Sequence, residues 1–300
     1  MRTLLFSWTE PCLERTGVWG ILLGDPRHAQ QQGFAMRCLF CKSNSSTSRS
    51  LEHIIPESLG NHTQTLPPGV VCDKCNNYFA REVEKPFLET EAIRLLRFHQ
   101  VIPNKRGRVA PLAGVIMPGF PARVHLHKEL QYAPSIETSF EALEHVLRQR
   151  SGMLIMPAES DLPDGLVVSR FLAKVALEAM AQRLVDYPEG IEYLADEPQL
   201  DLMRNHARKG EISSWPYYSR RIYNTNATWQ MDNATDPQVI HESDILLTDW
   251  NEWFFVLAIF GLELTINYGG PDIGGYERWL AEHDNVSPLY WGKNAQPTSL

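Results

Sequence analysis

No stretch of this chain is long and apolar enough to cross a bilayer as a helix. The most apolar run covers residues 253–262, about ten residues, against the roughly 20 that a membrane helix needs. The opening residues, MRTLLFSWTEPCLER, carry one early Arg and a short apolar stretch broken by Trp8, Thr9 and Glu10. Without a proper apolar core or a small-residue cleavage site, they predict no secretory leader and a cytoplasmic location. Cysteine is scarce, with five in 300 residues, and four of them in two C-x-x-C pairs favour metal over disulfides in a reducing compartment. There is no excess of positive charge either. Taken alone, the net charge of −8 argues against a nucleic-acid partner. Internal repeats and long low-complexity segments are also missing, which excludes a repeat array.

What is present is an ordinary globular composition, 43% apolar and 21% charged, in a chain long enough for one large domain or two smaller ones. The charge is unevenly spread. Residues 34–110 hold 11 Lys/Arg against 7 Asp/Glu, and the other segments hold 17 against 29. A basic segment on an acidic body fits backbone binding at one place only.

Along the chain, residues 1–35 read as an N-terminal extension, with a short strand or hairpin at Val18 to Leu23 and then the polar run His28 to Gln32. Residues 82–99 carry a helical apolar pattern interrupted by Pro86. The Pro- and Gly-rich stretch 103–121 predicts turns, short strands such as 108–117, and a domain boundary. Beyond it, 166–184 reads as a strongly amphipathic helix. The run 253–267, with Gly261 in its middle, suits two buried strands or one strand bent at a bulge. Helices are expected at 139–150, 198–209 and 276–283. Residues 101–300 thus form a mixed α+β domain, behind a distinct module at 36–100.

That module carries the chemistry. It reads C38-L-F-C41, then L51-E-H-I-I-P-E-S-L-G-N61, then G69-V-V-C-D-K-C-N-N77. Two C-x-x-C pairs, Cys38/Cys41 and Cys72/Cys75, offer four soft thiolates to one tetrahedral zinc. With all four positions filled by protein, such a zinc is structural and closed. The fifth cysteine, Cys12, is expected as a buried free thiol. Between the pairs, Glu52 and His53 set a carboxylate beside an imidazole, next to two β-branched residues and Pro56. This pattern suggests a strand ending in a sharp exit loop.

In this order, C-x-x-C, E-H-I-I-P-x-S-L-G and C-x-x-C-N-N resemble the zinc-containing HNH endonucleases, whose core is the ββα-metal fold. The resemblance covers about 50 residues, a sixth of the chain. It implies two short strands near 50–55 and 69–72 and a helix from about Asp73. The overall class is then α+β: a zinc-stapled ββα-metal module followed by the larger mixed domain. By the resemblance, His53 is the general base that activates water. Glu52 and Asn76 are the ligands of one catalytic divalent ion, Mg²⁺ or Mn²⁺, and Asn77 is a further candidate for the metal or for packing the helix start. Many members place an Asn before the second cysteine pair to orient the histidine. This chain has Thr65-Leu66-Pro67-Pro68-Gly69 there, so Asn61 and Thr65 are the candidates for that role. His62 reads as a loop residue.

The implied partner is nucleic acid, with DNA foremost, and no membrane. Arg94, Arg97, Lys105, Arg106 and Arg108 follow the module and are candidates for tracking phosphates. Arg204, Arg208, Lys209, Arg220 and Arg221, interleaved with Trp215, Tyr217, Tyr218 and Tyr223, could bind single strands by stacking. The competing reading is a zinc-ribbon protein that engages nucleic acid without cutting it. A third is a zinc module that only scaffolds the larger domain. The pairing of Glu52, His53 and Asn76 discriminates among them, because a binding module needs no base beside a carboxylate.

Overall fold

The computed structural model describes residues 36–298 apart from 105, 128–132, 159, 164, 188, 230–237 and 292–296. Cys12, the expected hairpin at 18–23, the whole 1–35 extension and Lys105 lie outside the described residues.

The described residues open on the first cysteine knuckle and lead into a two-residue strand, β1 (Glu52–His53), paired antiparallel with β2 (Thr65–Leu66). The second strand therefore falls earlier than 69–72. Residues 68–71 are instead turns and bends, and Gly69 takes a left-handed φ of 98°. That φ is one L side chains rarely adopt, and a Cβ there would stand 3.3 Å from the Ser45 carbonyl, so glycine suits the turn that brings the two knuckles together. Helix α1 (Asp73–Phe79) starts at Cys72 and widens into a π-helical turn, Ala80–Glu84. It continues as α2 (Lys85–Leu88), which has Pro86 in its first turn. Proline lacks an N–H and crowds the carbonyl four residues back. The π turn, closed by the Lys85 N–H on the Ala80 carbonyl, takes up that misfit without ending the rod. Helix α3 (Glu91–His99) follows.

Next comes a small antiparallel sheet of β3 (Leu112–Ile116), β4 (Phe120–His127), β5 (Ala133–Thr138) and β6 (Leu154–Ile155), in the order β5-β4-β3-β6. Helix α4 (Phe140–Gln149) lies in the β5–β6 connection, and its N-terminus is capped by Ser139, whose hydroxyl accepts from the Ala142 N–H.

Helix α5 spans Leu166–Leu184, the range read from the sequence. It is not amphipathic, because nearly every face is covered. Val168, Phe171, Leu172, Val175, Ala176, Leu177 and Ala181 are all buried, and so are Ser169, Lys174 and Glu178. After it come α6 (Gly190–Asp196) and α7 (Asp201–Lys209). The second large sheet contains β7 (Tyr218–Arg221), β9 (His241–Leu247), β10 (Trp253–Ile259) and β11 (Leu262–Asn267), ordered β7-β11-β10-β9; β8 (Thr228–Trp229) stands apart from it. The run 253–267 is thus two strands. A two-residue turn, Phe260-Gly261, joins them with φ of 46° and 78°, the left-handed pair that matches strand twist.

Alternation along β10 explains why it reads as continuously apolar. Phe255, Leu257 and Ile259 join the main core with α5, while Phe254, Val256 and Ala258 meet Tyr276 and Leu280 of α8 (Gly274–Glu282). That main core also contains Leu39, Ile54, Leu66, Val70, Phe79 and Phe87. The knuckles and hairpin therefore share one hydrophobic interior with α5 and the large sheet, and Phe87 stacks on Phe171 with centroids 3.8 Å apart. Among the described residues, no helix is long and apolar enough to cross a membrane.

Candidate metal centre and nuclease-type hairpin

Cys38, Cys41, Cys72 and Cys75 converge so that all four sulfurs lie within 4.8 Å of one another. The Cys41 and Cys72 sulfurs are 3.7 Å apart. Four thiolates at about 2.3 Å from a tetrahedral zinc stand about 3.8 Å apart along each edge, so this cluster could hold a structural zinc. The Cys72 N–H donates to Cys38 Sγ at 3.3 Å, and the Cys75 N–H donates to Cys72 Sγ at 3.4 Å. Ser45, buried behind the knuckle, donates its hydroxyl to the Gly69 carbonyl at 2.6 Å. The packed thiols unbalance one another. A hydrogen bond shared with Cys75 draws Cys38 down to about 4, against the effect of burial. The same contact, together with burial, drives Cys75 far up. Such a group gains from a cation that allows all four to ionise together.

The hairpin sits beside this cluster. Strand side chains alternate in direction, and here Glu52 turns into the protein while His53 stays half-buried at the surface. Behind Glu52 lies Lys174 of α5, itself fully buried. The Lys174 ammonium is 2.7 Å from Glu52 Oε1, 2.7 Å from Glu84 Oε1 and 2.9 Å from Glu178 Oε2. It also donates to the His53 carbonyl at 3.0 Å. Burial raises the Glu52 carboxyl above its usual range, with Lys174 opposing that shift. Burial alone would depress the lysine, but Glu178, Glu52 and Glu84 together hold it well above its ordinary value. Glu178 is likewise pushed well up by burial.

Asn76, in the second turn of α1, donates from Nδ2 to the Leu51 carbonyl at 3.1 Å and so ties the helix to the start of β1. Asp73, at the head of the same helix, accepts from the Arg49 and Ser50 N–H groups at 3.0 and 2.9 Å and from the Ser50 hydroxyl. These bonds hold its carboxyl below the usual range. Asn77 is exposed on the outer face of the helix, and His62 is exposed in the loop. Asn61 is fully buried, and the loop backbone fills its hydrogen-bonding capacity. It donates to the Ile55 and Gln64 carbonyls and accepts from the Thr63 and Gln64 N–H groups. It therefore shapes the loop that leaves His53. Thr65 lies directly across the ribbon from His53.

The candidate phosphate contacts separate. Arg94, Arg106 and Arg108 are exposed. Arg97 is not available, because it is 9% exposed, one turn after Ile93 on the inner face of α3, and burial lowers its pKa. Of the residues expected to stack around 204–223, Lys209 and Arg221 are exposed and Arg208, Tyr217 and Tyr218 half-buried, and four others are engaged within the fold. Trp215 and Tyr223 are buried, Arg204 is enclosed by Asp201 and the Leu194 carbonyl, and Arg220 pairs with the buried Glu263 at 2.7 Å. Sequence reasoning missed Asp73 and Lys174. The signal for Lys174 was a Lys and a Glu at i and i+4, positions 174 and 178, inside an otherwise apolar helix.

A short antiparallel strand pair followed by a helix, fastened by a four-thiol cluster, defines a ββα module. Residues 38–90 match the family model described as HNH endonuclease, a span running from the first knuckle to the end of α2. Neither a curated protein nor a solved structure matches the chain significantly. The matched segment supports nuclease activity and, with it, a nucleic-acid substrate.

Proposed function

We propose that this chain is a metal-dependent endonuclease that hydrolyses phosphodiester bonds of nucleic acid, with DNA as the first substrate to test. The observation that carries this reading is a half-exposed His53, next to Glu52 and braced by the Asn76 helix, inside the segment that matches the HNH endonuclease model. The donor set fits a hard divalent ion. Glu52 Oε2 is buried and has no hydrogen-bond partner among the described residues. Asn76 donates its amide N–H to Leu51, which leaves its oxygen as an acceptor. Carboxylate and amide oxygens suit Mg²⁺ or Mn²⁺, and such an ion, held by Glu52 and Asn76, would stabilise charge on the phosphate and the leaving 3′ oxygen. His53 takes the proton from the attacking water, a task suited to an imidazole near neutral pH. Its carbonyl is held from behind by Lys174, and the Ile54 N–H next to it donates across the ribbon to the Gln64 carbonyl at 3.2 Å, so the ring is aimed by a fixed backbone. The four-thiol site takes zinc and has no catalytic role. Exposed Arg94 and Arg106 are placed to meet phosphates. By analogy of architecture, the setting is cytoplasmic restriction or defence against phage.

The test is nicking of supercoiled plasmid by purified protein with Mg²⁺ or Mn²⁺. His53→Ala should lower the rate by roughly 10²- to 10⁴-fold while leaving the melting temperature and zinc content as in wild type. Equal cleavage by both proteins would overturn the assignment of the base. Binding without cleavage by wild type, on DNA and RNA alike, would favour the non-catalytic zinc-ribbon reading.

A further inference from the structure

Lys174 stands 121 residues from His53 in sequence, yet its ammonium touches the carbonyl of that residue. Glu52 and Glu84, its partners at 2.7 Å, sit on two different elements of the nuclease-type module. Glu52 is on β1 beside His53. Glu84 closes the π turn that continues α1, and the Ala80 N–H at the start of that turn donates to the carbonyl of Asn76 itself. One buried cation therefore links the strand bearing one oxygen donor to the rod bearing the other. An ammonium has three N–H donors, and here four oxygens surround them at 2.7–3.0 Å. The group has no freedom to turn away, and no solvent reaches it. Lys174 pairs with Oε1 of Glu52, while Oε2, like Glu178 Oε1 in the same cluster, is buried with no hydrogen-bond partner among the described residues.

We propose that Lys174 is a positioning residue of the site, setting the strand of Glu52 and His53 against the helix of Asn76 and aiming Glu52 Oε2 at the divalent ion. This rests on the nuclease reading above. Groups that hold a metal ligand from behind orient it, and their loss typically costs 10- to 100-fold in affinity or activity. The fold of the larger domain then contributes to the site directly, because α5 supplies the cation that pairs with Glu52 and Glu84 of the 36–100 segment.

The experiment uses the full chain and three variants, with Mn²⁺ binding read by isothermal titration or by the spin resonance of free Mn²⁺. Zinc content, thermal melting and plasmid nicking are followed alongside. Lys174→Met alone strands the buried carboxylates of Glu52 and Glu178 and the partly buried one of Glu84, so it is paired with Lys174→Met/Glu178→Met, which removes cation and anion together from one face of α5. Glu178→Met alone keeps the contacts of Lys174 to Glu52, Glu84 and the His53 carbonyl. The double variant should melt cooperatively with zinc bound, lose about 10- to 100-fold in Mn²⁺ affinity and lose nicking in proportion. Glu178→Met should stay within about threefold of wild type in both. A folded double variant that binds Mn²⁺ and nicks like wild type would overturn the proposal and leave the nuclease reading intact. Wild-type protein that neither binds Mn²⁺ nor nicks would overturn the nuclease reading, and the role of Lys174 with it. Equal losses in Glu178→Met and the double variant would reduce Lys174 to a packing residue.

Discussion

The thiol cluster and the Lys174 cluster both fasten the hairpin that carries His53, one from its flank and one from behind. The thiols join the first knuckle to the head of α1 through four residues that lie within 38 positions of one another. The ionic cluster joins β1, the π turn and α5 through residues 52, 84, 174 and 178. Their energetics also differ. A structural metal adds binding energy that the unfolded chain cannot obtain. A buried ion cluster gives back in desolvation most of what its attraction supplies, so swapping it for apolar side chains is often neutral or stabilising. On the proposed reading, zinc held by the thiols would make the module fold, and the lysine would fix its geometry.

The largest expected effect breaks the first half of that contrast. Stripping zinc with a chelator removes an apparent binding energy of roughly 10–16 kcal/mol, and Cys72→Ser, which takes away one of four thiolates, removes part of it. The module should lose its cooperative melt and its nicking together, as followed by metal stoichiometry and thermal unfolding. Cys72 is also the N-cap of α1, accepting from the Cys75 N–H at 3.4 Å, so the helix of Asn76 should fray with it. A zinc-free protein with the wild-type melt would show that the shared core suffices without metal. The double Met variant probes the other half. Retained folding with weakened Mn²⁺ binding would mark the ionic cluster as geometric rather than stabilising.

A smaller effect comes from the packing behind α5. His206 of α7 is fully buried, bonded through Nε2 to Ser169 Oγ of α5 at 2.9 Å. Burial, and then Arg170, lower its pKa to about 4. The unfolded chain binds this proton near 6.5 and the folded chain only near 4, so between those values the unfolded state holds more protons. Stability is therefore full above pH 6.5 and falls as the pH drops toward 4, by about 2 kcal/mol at pH 5 from this residue. Urea unfolding at pH 7 and pH 5 should show His206→Gln losing less stability than wild type over that interval, by about that amount. An identical pH dependence in the two proteins would refute the role of His206.

The same contrast explains what could be read from the sequence. The thiol site was legible because its geometry follows from spacing: C-x-x-C brings two sulfurs together whatever the rest of the chain does. Helix α5 and the β10–β11 hairpin were legible because their residues carry a period. Their environment was not. Whether a helix is covered on one face or on all depends on partners elsewhere, so α5 read as amphipathic although it is central. Arg97 failed for the same reason: a charge in the sequence reads as surface until the helix face is known. The second strand was misplaced because Gly69 and Val70, apolar and close to Cys72, suit a strand by composition. The φ of Gly69 and the closure of the knuckle require a turn instead. Lys174 had no local signature of its target, since Glu52 and Glu84 approach it only through the fold.

How far along α5 the coupling extends is the finest question the contrast raises. Ala176 lies two residues after Lys174, about 200° around the helix, and its carbonyl accepts from the buried hydroxyl of Tyr268 at 2.8 Å. One helix therefore holds the hairpin on one side and the large sheet on the other. Tyr268→Phe removes that hydroxyl and keeps the ring, at a cost of about 1 kcal/mol, read from denaturant midpoints. If Lys174 acts through its own contacts, nicking and Mn²⁺ affinity should stay within about twofold of wild type, because a loss this small leaves α5 seated by Phe171, Leu172 and Val175. A tenfold fall in either, at unchanged zinc content, would mean that the sheet sets the position of Lys174. The positioning role would then belong to the whole helix rather than to one side chain.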